Sequence, residues 1–93
     1  MKIDKQFRIL IPASLCNCLE LVPNSTMKIS YRQNYVLIFS KDNHDMEMVE
    51  FQASAKLDSK HRICIGKPFI EENNLMDKEL SISAIAKTII IRW

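Results

Sequence analysis

Asp4-Lys5-Gln6-Phe7-Arg8-Ile9-Leu10-Ile11 and Asp58-Ser59-Lys60-His61-Arg62-Ile63-Cys64-Ile65 share one frame, Asp-x-x-x-Arg-Ile-x-Ile, at two places in the chain. A recurrence of this kind governs the reading of everything around it. Ile3 and Leu57 stand one residue before each Asp. Beyond the frame, Leu15 aligns with Phe69 and Leu21 with Leu75. After a one-residue deletion, Met27 and Ile29 align with Leu80 and Ile82, and Val36-Leu37-Ile38 with Ile89-Ile90-Ile91. The same order of elements runs through both halves, so the chain reads as a duplication. Its parts are a first repeat over 1–40, a linker over 41–56 and a second repeat over 57–93, which together form one domain.

Each repeat has the same coarse plan. An extended, aliphatic segment comes first (Phe7–Ile11, His61–Ile65). Pro12 or Pro68 then opens a short helix, where a missing N–H costs nothing. In the first copy Leu15, Cys18, Leu19 and Val22 fall at i, i+3, i+4 and i+7, which predicts one apolar face. In the second copy Asn73-Asn74 end the helix. Turns at Pro23-Asn24-Ser25 and Met76-Asp77-Lys78 lead into hairpins. In the first hairpin Met27, Ile29 and Tyr31 alternate inward and Tyr35–Ser40 returns. In the second, Leu80, Ile82 and Ala84 precede Thr88–Arg92. Within the linker, Met46–Phe51 has partial alternation and is the place for an extra strand. Neither ββαββ unit is large enough to close a core alone. The expected fold is mainly β with a minor α component, the two units interdigitating into a small closed or nearly closed barrel.

The chain of 93 residues is one domain's worth, and 47% apolar with 26% charged residues is ordinary for a soluble globular protein. At this length only roughly 60–65% of the unfolded surface is buried, which leaves little room for a deep catalytic cleft. The net charge is +2, too small to imply nucleic acid by itself, but its distribution is uneven. Residues 1–40 carry five basic groups against two acidic. Residues 41–56 carry four acidic against two basic, and residues 57–93 six basic against five acidic. No apolar run approaches the ~18 residues of a membrane span. Charges interrupt the amino terminus where a signal peptide would need its apolar core. The expected location is cytoplasmic, with no membrane partner.

Glycine occurs once, at Gly66, which excludes the glycine-rich phosphate loops of nucleotide-binding enzymes. No Ser-His-Asp or Cys-His pairing is legible, and Glu47, Glu50, Glu71, Glu72 and Glu79 read as solvated surface. Cys16, Cys18 and Cys64 are odd in number, unlike a secreted disulfide scaffold. His44 and His61 do not stand at ligand spacing from Cys16-x-Cys18, so the cysteines read as free thiols. No metal, no cofactor and no enzymatic activity are expected.

These residues resemble the AbrB/SpoVT/MazE-like swapped-hairpin family, whose pattern runs Asp-x-x-Gly-Arg-apolar-x-apolar-Pro, short helix, then a Leu-x-x-Gly-Asp turn. Two copies in one chain are similar to the arrangement of MraZ-type regulators. The resemblance covers nearly all of the chain outside 41–56. It implies a swapped-hairpin β-barrel in which two motifs interleave, and it implies binding of promoter DNA as a transcriptional regulator or as an operator-binding antitoxin. The glycine before the arginine is Phe7 in one copy and His61 in the other. A positive φ there would strain Phe7 more than His61. The family's proline is Gly66 in the second copy. The basic pair that many members carry on the helix is Cys16-Asn17 and Ile70-Glu71 here.

Arg8 and Arg62 are the candidate DNA-reading residues, because a guanidinium offers five donors in a flat fork suited to phosphate oxygens and to the guanine edge. A pseudo-two-fold would set both on one face, with Lys2 and Lys5 flanking one and Lys60 and Lys67 the other. Asp4 and Asp58 are candidates for orienting the loops, and an Asp–Arg ion pair that merely pins the turn would use the same residues. Lys28, Arg32, Lys87 and Arg92 read as outer hairpin faces, Tyr31 and Tyr35 as packing residues, and Trp93 as a core lid or an oligomer contact. The expected function is a DNA-binding transcriptional regulator whose partner is double-stranded DNA. The alternative is a protein-interaction module, antitoxin-like or the partner of another regulator, with weak or no DNA binding. A homo-oligomer is compatible with both.

Overall fold

The computed structural model describes residues 1–93. In chain order the elements are β1 (Arg8–Leu10), α1 (Ala13–Cys18), β2 (Thr26–Tyr31), β3 (Tyr35–Ser40), a 3-10 turn at His44–Met46, β4 (Ala53–Lys56), β5 (Arg62–Cys64), α2 (Lys67–Glu72), β6 (Ser81–Ile85) and β7 (Thr88–Arg92). The protein is mainly β. Its strands form a two-stranded ribbon, β1-β5, and an open five-stranded antiparallel sheet in the order β4-β2-β3-β7-β6. The expected closed barrel is not formed. Three-residue strands β1 and β5 are too short to bridge the sheet's two edges, and the chain leaves each of them at Pro12 or Gly66 to begin a helix.

Both central pairings join one half to the other at matching positions. In the ribbon, Ile9 lies opposite Ile63. In the sheet, Leu37 lies opposite Ile90 in the centre of β3-β7. Each pair consists of residues that the repeat alignment equates, so one approximate two-fold relates the halves in both layers. The hairpins obey it too: Ile29↔Ile38 in β2-β3 answers to Ile82↔Ile91 in β6-β7. The core is correspondingly shared. A single cluster of 16 buried residues draws Ile3, Ile9, Ile11, Cys16, Met27, Ile29, Val36 and Ile38 from the first half. From the second it draws Leu57, Ile63, Ile65, Ile70, Leu75, Leu80, Ile89 and Ile91. Burying each such side chain contributes about 1.5–3 kcal/mol, and neither half possesses enough of them to close a core alone.

The helices are six residues long, below the length at which a helix is stable unaided. Each is held by one buried side chain, Cys16 or Ile70. Each also ends in the same reversal: the Leu21 N–H donates to the Cys16 carbonyl (2.9 Å) and the Leu75 N–H to the Ile70 carbonyl (3.0 Å). The left-handed residue of that motif is Glu20 (φ 55°) or Asn74 (φ 53°). This corrects the expected apolar face of α1. The chain turns away at Glu20, leaving Cys18 and Val22 exposed, while Leu15 and Leu19 rest against the core. The linker also differs from expectation. Met46–Phe51 is not a strand; β4 begins at Ala53 and pairs with the outer edge of β2.

Trp93 is a lid on the core: it meets Phe69 edge-on at 5.6 Å, and Phe69 stacks on Tyr31 at 4.5 Å. The Tyr31 hydroxyl accepts the Gly66 N–H at 2.8 Å, and a Cβ on Gly66 would stand 2.9 Å from that oxygen. The residues that answer to Tyr31, Phe69 and Trp93 in the other half are Ala84, Leu15 and Ser40, so the stack exists on one side only.

The β6-β7 hairpin turns through Ala86 (φ 51°) and Lys87 (φ 60°). Two consecutive positive φ values match the right-handed twist of the strands and favour Asn-Gly. The double substitution Ala86→Asn/Lys87→Gly is expected to raise unfolding free energy by about 1–2 kcal/mol. It should appear as a higher denaturation midpoint at unchanged slope.

Candidate nucleic-acid interface

The two-stranded ribbon has one buried and one open face because side chains alternate along a strand. Ile9 and Ile63 point into the core, 2% and 1% exposed. Arg8, Leu10, Arg62 and Cys64 form the outer face, with Arg8 opposite Cys64 and Leu10 opposite Arg62. The two arginines are therefore diagonal neighbours across the two-fold, a placement whose Cα atoms are typically about 7–8 Å apart. Leu10, 58% exposed, sits between the charges.

Each arginine is set by the loop before it, and the loops match bond for bond. Asp4 Oδ1 accepts the N–H groups of Gln6 (2.8 Å) and Arg8 (2.9 Å), and its Oδ2 accepts Arg8 Nε (2.9 Å). Asp58 Oδ1 accepts the N–H groups of Lys60 (2.9 Å) and Arg62 (2.8 Å), and its Oδ2 accepts Arg62 Nε (2.8 Å). The Asp4 N–H donates to the Arg8 carbonyl and the Asp58 N–H to the Arg62 carbonyl. The residue before each arginine, Phe7 or His61, has φ 62°. That is the position where the resembled family has glycine. The loop nevertheless forms on non-glycine residues, because the aspartate supplies so many of its hydrogen bonds.

The Asp–Arg pair is thus both a loop pin and an aiming device. Only Nε is engaged, so both terminal nitrogens of each guanidinium are without a partner in the chain. Those nitrogens are the pair that grips a phosphate or the guanine edge in two-point fashion. Three bonds from N–H donors hold each aspartate below its ordinary value of 3.8. The backbone N–H of the arginine is the largest influence in both loops, opposed by partial desolvation.

Lys2, Lys5, Lys60 and Lys67 are all exposed, and the structure gathers them unevenly. Lys5 and Lys60 lie within the two loops. Lys67, at the start of α2, has its Nζ 5.6 Å from the Phe7 ring centre, so it reinforces the first loop although it belongs to the second half. Its counterpart beside His61 is Ala13, which carries no charge. Lys2 precedes the first loop, and its charge is felt at Glu79, whose carboxyl is held down chiefly by a hydrogen bond from the terminal ammonium. The two short helices offer no substitute. Cys16 and Ile70 are buried, Asn17 is neutral, and Glu71 is negative. Leu10 and Cys64 are outer-face residues that the sequence reading passed over, although their spacing of two from Arg8 and Arg62 already put them there.

Away from the ribbon, an open groove of ≈ 530 Å³ is lined by Leu19, Leu21 and Val22 on one side and by Asp42, His44 and Asp45 on the other. No three His, Cys, Asp or Glu side chains come together in a way that could hold a metal ion. All three cysteines are free thiols; burial pushes the Cys16 thiol up. No helix is long and apolar enough to cross a membrane.

Two outcomes follow from the loop geometry. Asp58→Ala removes three accepted hydrogen bonds and Arg62→Ala one, so the first is expected to lower the melting temperature clearly more than the second. Because the folded pKa of Asp4 and Asp58 lies below the unfolded one, their stabilisation is complete above the ordinary carboxylate range and disappears on acidification. Denaturation midpoints of the wild type and of Asp4→Asn/Asp58→Asn should differ at pH 7 and converge as pH falls below 3.8. A gap that persists in acid would assign the effect to shape and not to charge.

Comparison with known proteins adds no assignment: no protein-family model, curated protein or solved structure matches the chain.

Proposed function

We propose that this chain is a DNA-binding transcriptional regulator of the AbrB/MraZ type, with two intrachain swapped-hairpin repeats, that grips duplex DNA with the outer face of the β1-β5 ribbon. The observation that carries the reading is the pair of Nε-pinned guanidiniums on one face with their terminal nitrogens unpaired. A two-stranded ribbon suits the roughly 12 Å width of the major groove. Arg8 and Arg62 read or clamp from its centre, Lys5, Lys60 and Lys67 hold phosphates beside it, and Lys2 extends the basic surface. Asp4 and Asp58 orient the arginines and do not touch DNA. Leu10 offers an apolar contact of the kind a thymine methyl accepts.

One observation favours a second reading, a protein-interaction module. The acidic linker exposes apolar side chains, with Met48 95% and Phe51 43% accessible. Such a segment suits a protein partner better than a polyanion.

Retention of genomic DNA fragments, followed by anisotropy titration on a selected duplex, separates the two. The first reading expects a log–log salt slope of about −4 to −5, from roughly 4–6 phosphate contacts. It expects Arg8→Ala/Arg62→Ala to lose binding by at least about tenfold, with only a small change in melting temperature, because isolated ion pairs that stay partly open to solvent contribute little to stability. Arg→Lys at both positions should keep most of the salt slope and lose sequence preference. Failure of the wild type to retain any fragment at low salt, or a flat salt response, would sink the DNA reading and favour the linker.

A further inference from the structure

We propose that two copies of this chain associate edge to edge through strand β6, continuing the five-stranded sheet into a ten-stranded one. The inference rests on a difference between the halves that the two-fold makes visible. On β2, the outward backbone groups of Ile29 and Tyr31 are met by Gln52: its N–H donates to the Ile29 carbonyl (3.0 Å), and its Oε1 accepts the Tyr31 N–H (2.7 Å). Strand β4 then covers the rest of that edge. The matching residues on β6 are Ile82 and Ala84. Their register against β7 turns their N–H and C=O groups outward, and nothing in the chain meets them. Only the next position back, Leu80, is satisfied, by the N–H and C=O groups of Met1.

The open edge also lacks what usually guards one. Natural edge strands carry lysine, proline or a bulge that discourages pairing. Ser81-Ile82-Ser83-Ala84-Ile85 has no charge, no proline and an unbroken ladder, and Ile85 is 62% exposed. The opposite edge, β4, ends on Lys56.

A second copy fits this edge because the strand is complementary to itself when antiparallel. With Ser83 facing Ser83, Ile82 of each copy lies opposite Ala84 of the other. The four outward N–H groups and four outward C=O groups of that pairing are then placed to form four backbone hydrogen bonds. Ile85 lies against Ser81, no like charges within the strand are opposed, and each β6 ends before the partner's Met1. The inference is independent of DNA binding.

Sedimentation of the full chain over a concentration series up to about 200 µM tests it, since an association this small belongs in the micromolar range. The wild type is expected to move from one copy to two. Ala84→Pro removes an outward N–H that the monomer does not use, so it should stay folded and remain single. Ser83→Lys adds a cation beside Arg92, whose Nη1 donates to Ser83 Oγ at 3.4 Å, so like charges meet across the two-fold and association should weaken about tenfold or more; Ser83→Glu, partly offset by Arg92, should weaken it less. An equimolar mixture of the two should recover the dimer, an outcome that a fold defect could not produce. A wild type that stays single throughout, a dimer that survives Ala84→Pro, or a charge-swapped mixture that fails to pair would each overturn the proposal.

Discussion

The pairing of Ile9 with Ile63 is the contact on which the molecule depends. Strands of three residues have no independent stability, and each half possesses only one such strand at its front. The ribbon exists because the two halves lend each other a partner. The Ile11 N–H reaches the His61 carbonyl and the Ile65 N–H reaches the Phe7 carbonyl, both at 2.8 Å. The buried face of that ribbon then seals a core to which both halves contribute equally. Remove that pairing and the sheet below loses its cover, the helices lose their packing surface, and the two arginines lose their common face.

Position and charge are coupled by the aspartates that precede the ribbon. Asp4 and Asp58 satisfy backbone donors in a loop whose left-handed residue is not glycine, and the same carboxylates fix the arginines through Nε. A loop built this way holds its cationic group in place before any ligand arrives, so less side-chain entropy is lost on binding. The arrangement also divides the site's hydrogen-bonding groups between two residues. Most of the loop's hydrogen bonds end on the aspartate, while the unpaired nitrogens belong to the arginine.

Much of this was legible in the residues because a duplication supplies two readings of every element. Tyr35–Ser40 and Thr88–Arg92 emerge as strands from their β-branched runs, and Asn73-Asn74 mark the end of α2. The errors have specific causes. Glu20 takes the left-handed position that usually announces itself as glycine, so the end of α1 was invisible and Val22 was misplaced on its face. The linker's apolar residues Met46, Met48 and Phe51 imitate a strand, while the actual strand Ala53-Ser54-Ala55-Lys56 has almost no hydrophobic signature and is chosen by pairing with β2. Barrel closure depends on how far short strands reach, which composition does not report. At the candidate interface, the arginines and aspartates were readable from their spacing. The uneven lysines were not, because Lys67 reaches the first loop only through the pairing of β5 with β1 across the halves.

The Tyr31-Phe69-Trp93 stack has no counterpart around Leu15, Ala84 and Ser40. In an assembly of identical subunits any alteration is copied onto every subunit, whether or not it suits each location. Tethering both halves in a single polypeptide lifts that obligation. One flank can be stiffened by aromatic rings while the other has none, and subsequent drift can tune the two ends of the ribbon separately without breaking the shared interior.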